Sequence, residues 1–150
     1  MQRSISNKNS LEPFIYVILF IAYESLSSIY LFLPPLFAVL FVLFVNALKK
    51  QDTLSIYLIS FCLIVYESQM GYPLFSSIIY LGLIYKFLIP KIKKNLNCVS
   101  CIKALYVLFA YFGFYLFLVI LSNIFLLPMP SINYYVIYYI IIEFFIVSLL

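Results

Sequence analysis

The sequence predicts an all-α bundle of membrane-spanning helices, and three observations carry that prediction. Hydrophobic residues make up 67% of the 150-residue chain and charged residues only 9%, whereas a soluble domain is typically about half apolar and a quarter charged. The apolar residues come in long blocks, broken by prolines and short polar turns. The nine Lys and Arg residues fall in some of those turns and are missing from the others. A mean hydropathy of +1.16 agrees. These proportions exclude a soluble nucleic-acid-binding domain in spite of the net charge of +4. They also exclude a disordered chain, and three cysteines are too few for a disulfide scaffold. With no His and three Gly, the chain lacks the commonest proton shuttle and metal ligand. It also lacks a phosphate-cradling glycine loop and a G-x-x-x-G packing face. No metal or cofactor is expected.

The elements follow in order as one integral membrane domain over 1–150. Residues 1–13 are polar. The apolar block 14–33 is too long for a signal-peptide core and is followed by no small-residue cleavage site, so it reads as an uncleaved first helix. Pro34-Pro35 opens a second helix over 34–48, which at 1.5 Å per residue is about 22 Å long. It is short enough to be re-entrant. After Lys49-Lys50-Gln51-Asp52 comes a third helix over 53–70, then the break Gly71-Tyr72-Pro73. The fourth helix covers 74–90 and ends at Pro90. An inner basic loop over 91–103 leads to the fifth helix, 104–127. Pro128-Met129-Pro130 turns the chain into the sixth, 131–150. Segments one, three, five and six have the roughly 18–25 residues that cross a hydrocarbon core.

Charge orients the bundle. With six alternating helices and both ends inside, Arg3, Lys8, Lys49, Lys50, Lys86, Lys91, Lys93, Lys94 and Lys103 all lie on the inner side. The outer turns, 33–35, 68–73 and 128–133, hold no Lys or Arg. Positive charge in short loops sets orientation, so the expected topology is N-in, C-in. Ile21-Ala22-Tyr23-Glu24-Ser25 is echoed by Ile64-Val65-Tyr66-Glu67-Ser68 in two outward-running helices. In a chain this rich in Ile, Tyr and Ser, chance accounts for that echo.

Three carboxylates are stranded in apolar segments: Glu24, Glu67 and Glu143. An ionisable group inside a membrane segment costs a few kcal/mol and is a functional candidate by default. Glu24 is the most central, with Ser27 and Ser28 on its helix face. Glu143 continues a row with Tyr135 and Tyr139. Glu67 lies near the outer end of the third helix, beside Ser68 and Gly71. The functional reading is a proton or cation path or a polar pocket. The structural reading is interhelical hydrogen bonding, worth on average about 0.6 kcal/mol per contact in membranes, and it is favoured for Glu24 and Glu143.

Cys98-Val99-Ser100-Cys101 is a C-x-x-C in the basic loop. A structural zinc site needs four ligands, which one chain without His does not supply, so two reduced thiols are expected. The basic loop itself sets topology and meets anionic headgroups. No nucleophile stands beside a base, and no enzyme activity is expected.

The layout resembles the MreD family of bacterial rod-shape-determining membrane proteins. The resemblance rests on four features: Pro34-Pro35 opening the second helix, the basic turn Lys49-Lys50-Gln51-Asp52, the acidic–small–glycine turn Glu67-Ser68-Gln69-Met70-Gly71, and a fourth helix leading to a basic inner loop. It covers about residues 14–103. The family usually has Asp where Glu67 stands, and it places glycines in the third helix where this chain has Ser55, Ser60 and Cys62. The resemblance implies a non-enzymatic scaffold of the bacterial inner membrane. Such a scaffold binds a single-pass MreC-like protein and helps to organise the wall-elongation complex with MreB, RodA and a transpeptidase. Glu24, Glu67, Ser68, Gly71 and Glu143 are then the candidate partner-binding or intramembrane polar residues, with the lipid bilayer as surroundings and no small-molecule substrate. The rival reading is a solute-binding subunit of an energy-coupling-factor transporter, with Glu24, Glu67 and Tyr72 facing an outward pocket. Five Ala and three Gly leave little small-residue surface on which such a subunit docks its transport partners.

Overall fold

The computed structural model describes residues 11–95 and 97–150. Arg3 and Lys8, two of the cations expected to orient the chain, lie outside that range. The described residues form six helices and no strand. Helix α1 spans Glu12–Ile29, α2 Phe37–Lys50 and α3 Thr53–Met70. Helix α4 runs over 76–95 with a π turn at Ile84–Leu88. Helix α5 runs over Val99–Phe125 with a π turn at Phe109–Gly113, and α6 spans Tyr135–Leu149. Three of them, α1, α3 and α5, are long and apolar enough to cross a membrane.

Burial is inverted on the outer helices. Within the bundle α1 buries only Glu24 and Ser27, while Tyr16, Ile18 and Ile29 stand exposed. Helix α6 buries Glu143 and Val147 and exposes Ile137, Ile141 and Phe145. A surface helix in water turns its apolar stripe to the core. Polar groups inward and apolar groups outward suit lipid, where charged side chains face the bundle interior.

Helix α2 is the axis of the bundle. Eight of its 14 residues are buried, and it packs against α3, α5 and α6. The Phe37 ring lies 5.0 Å from Tyr66 and 4.8 Å from Phe114. Phe41 and Val45 continue the same core with Leu63, Leu81, Val107 and Val147. At about 21 Å α2 is short, and its neighbours cover most of it.

Several boundaries differ from those read in the sequence. The first helix ends at Ile29 instead of 33, because its own hydroxyls capture the turn: Tyr23 donates to the Pro34 carbonyl at 2.8 Å and Ser27 to that of Leu33 at 3.0 Å. Carbonyls released at membrane depth need such partners. Pro90 does not end α4. A helix-interior proline lacks an N–H and its ring meets the carbonyl four residues back. The preceding π turn, where the Ile89 N–H reaches Ile84 O, widens the backbone where that clash falls. The expected basic loop over 91–103 is accordingly helical at both ends, α4 running to Asn95 and α5 starting at Val99. The sixth helix starts at Tyr135 rather than 131.

The π turn of α5 also receives a bond from α4. Tyr80 of α4 donates its hydroxyl to the Phe109 carbonyl, the first residue of the α5 π turn. Gly113 closes that turn, and a Cβ there would collide with the Tyr80 hydroxyl.

Candidate functional site

All three stranded glutamates are fully buried, and the structure gives them different work. Glu67, near the C-terminus of α3, turns its carboxylate onto the start of α4. It accepts hydrogen bonds from the Phe75 N–H at 2.7 Å, from the Ser76 hydroxyl at 3.0 Å, and from both the N–H and the hydroxyl of Ser77. Glu143, on α6, does the same for α2: it accepts from the Ala38 N–H at 2.7 Å and from the Tyr111 hydroxyl.

Sequence explains why both helices need this help. The first N–H groups of a helix have no intrahelical acceptor, and Ser, Thr, Asp or Asn usually supplies one from the N-cap position. Helix α2 instead begins after Leu36 and α4 after Phe75, apolar residues held in the left-handed region at φ 53° and 68° with no side-chain cap. Each follows a proline turn. A carboxylate from a neighbouring helix fills the gap, where a charge-assisted bond and the positive end of the helix dipole both favour an anion.

Glu24 differs: neither of its carboxyl oxygens has a hydrogen-bond partner among the described residues. It lies within electrostatic reach of Glu143, Cys62 and Tyr66. The serines that share its helix face are engaged elsewhere, Ser27 with Leu33 and Ser28 with the Ser25 carbonyl at 2.8 Å. Tyr139, expected in a row with Glu143, donates to the Leu31 carbonyl instead.

The other two candidate residues sit beside Glu67. Ser68 is exposed. Gly71 ends α3 with φ 70°, the left-handed conformation for which glycine is suited, and the following Tyr72 N–H returns to the Glu67 carbonyl at 3.0 Å. Glu67 therefore closes α3 through its backbone and opens α4 through its side chain. The structure brings Glu24 and Glu143 into one buried region with Tyr66 and Tyr111, and it sets the Glu67 clamp at the α3–α4 turn.

Above this region lies a cleft of about 920 Å³. It opens among the three proline turns, and Phe37, Tyr66, Tyr72, Tyr111, Ser122 and Tyr139 are among its lining residues. Among the described residues that line it, none is charged. Ser76, Ser77 and Tyr111 were not singled out by the sequence; the signal available was a pair of helices that start after a proline with no polar N-cap. Compared with protein-family models, curated proteins and solved structures, the chain gives no match.

Proposed function

We propose that the chain is a non-enzymatic, six-segment scaffold of the bacterial cytoplasmic membrane, of the MreD kind, which binds a single-pass MreC-like partner and helps to organise wall elongation. The Glu67 clamp carries this reading. The acidic–small–glycine turn on which the resemblance rests is a rigid joint: four hydrogen bonds to one carboxylate hold α4 against the end of α3, and they give the outer end of the bundle a fixed shape for a partner to recognise.

The arrangement of ends supports six segments with both termini inside. Lys49 lies beside Lys93, and the Lys103 ammonium donates to the Ser148 carbonyl at 3.2 Å. The ends of α2, α4 and α6 thus meet the start of α5 at a cationic pole, opposite the proline turns. Short loops rich in Lys face the cytoplasm.

In a rod-shaped host, depletion of the protein turns the cells round while vitamin uptake stays normal. Unchanged shape with lost uptake of one vitamin overturns the scaffold in favour of a second reading, a solute-binding transporter subunit. The uncharged aromatic cleft favours that alternative, since sites for neutral solutes are concave, largely apolar and carry a few polar groups.

A further inference from the structure

The C-x-x-C of the inner pole has no part in the scaffold reading, and its geometry is specific. Cys98 is the N-cap of α5, with extended backbone at φ −86° and ψ 114°, and Cys101 sits in the first helical turn. Side chains at the N-cap and three residues on face each other at a helix start. Both thiols are exposed. Residues three apart on a helix have Cβ atoms roughly 5–6 Å apart, and a disulfide closes at about 3.5–4.5 Å, a small movement at a helix end. The Cys101 thiol first, and then the N–H groups of Cys101 and Ser100, hold the Cys98 thiol below its ordinary pKa. Lys91, Lys93, Lys94 and Lys103 flank the pair in sequence and favour an anionic reaction partner.

We infer that Cys98 and Cys101 form a thiol–disulfide exchange site for small anionic disulfides of the glutathione class, with Cys98 the attacking sulfur. The Cys98 thiolate attacks one sulfur of the small disulfide, forms a mixed disulfide and releases one thiolate, which takes up a proton. Cys101 then gives up its proton and attacks the Cys98 sulfur, and the second small thiol leaves. The chain's two thiols become one disulfide, and one small disulfide becomes two thiols. Reduced glutathione runs the same steps in reverse. Closing the bridge pins the first turn of α5 to the α4–α5 connection. The chemistry is independent of the scaffold reading; only the cytosolic source of glutathione rests on the N-in, C-in orientation.

The test uses the full chain in detergent micelles, equilibrated with glutathione buffers of graded ratio, alkylated and weighed intact. The expected result is a reversible loss of two alkylation sites together, with buried Cys62 unreactive throughout. Cys101→Ser traps glutathione on Cys98, and Cys98→Ser forms the adduct on Cys101 at least about tenfold more slowly, as thiolate control of reactivity requires. Absence of the internal disulfide at every ratio, or equal adduct rates in the two variants, overturns the inference. In whole cells, alkylation of Cys98 by a membrane-permeant but not an impermeant maleimide supports the cytosolic source. Labelling by the impermeant reagent overturns that orientation and leaves the exchange result standing.

Discussion

Two glutamates in this bundle do the work that a serine or aspartate does at the start of a soluble helix, and they do it across helices. Removing either carboxylate leaves backbone N–H groups buried without an acceptor, which costs about 1–3 kcal/mol per group. Glu67→Ala and Glu143→Ala should therefore each lower the melting temperature of the detergent-solubilised chain, read by fluorescence-detected size exclusion after heating. Glu67→Gln, which keeps one acceptor oxygen, should fall between wild type and Ala. Glu24 has no partner to lose among the described residues, and an unpaired buried polar group is itself destabilising, so Glu24→Leu should melt at the wild-type temperature or above it. A Glu24→Leu loss as large as that of Glu67→Ala would show that Glu24 too holds a donor. Their scarcity among apolar residues made the three carboxylates visible in sequence. Their separate roles were not visible, because the groups they bind include backbone N–H groups, 8 residues away for Glu67 and 105 for Glu143, and hydroxyls as remote as that of Tyr111, 32 residues from Glu143, which no local pattern pairs with them.

Among the elements, the joint between α4 and α5 depends on one missing Cβ. The Tyr80 hydroxyl reaches the Phe109 carbonyl only because position 113 is glycine. Gly113→Ala forces that ring away, and overpacking of this kind typically costs about 1–3 kcal/mol. Tyr80→Phe removes the hydroxyl that the new methyl meets, so the double variant should lose less stability than the two single variants added together. Strict additivity in the same thermal assay would remove the contact as the cause. The blocks of apolar residues made the six helices legible, since a long apolar run has few other solutions. Their ends were less legible, and each miss has a local cause. Tyr23 and Ser27 unwind the last turn of the first expected helix by taking its turn's carbonyls. The π turn at Ile84–Leu88 carries α4 through Pro90. Both causes lie in hydrogen bonds that a hydropathy pattern does not record.

For the whole molecule, the two poles differ in kind. One gathers Lys49, Lys93 and Lys103; the other holds the proline turns and a cleft with no charged residue among the described ones that line it. A bundle so polarised has one low-energy orientation, because moving a short Lys-rich segment across the bilayer exposes each ammonium to hydrocarbon, at about 2.5–3.5 kcal/mol apiece on insertion scales. This polarity is written in the sequence as the placement of lysines. A single cysteine at the cleft end measures it directly. Ser131 lines the cleft and is exposed, so Ser131→Cys, in a chain whose Cys62, Cys98 and Cys101 are all serine, should react with a membrane-impermeant maleimide added to intact cells. The serine-only background should stay unlabelled. If Ser131→Cys reacts only after the membrane is opened, the cleft faces the cytoplasm, and Glu67 with its turn lies on the side away from any extracytoplasmic partner.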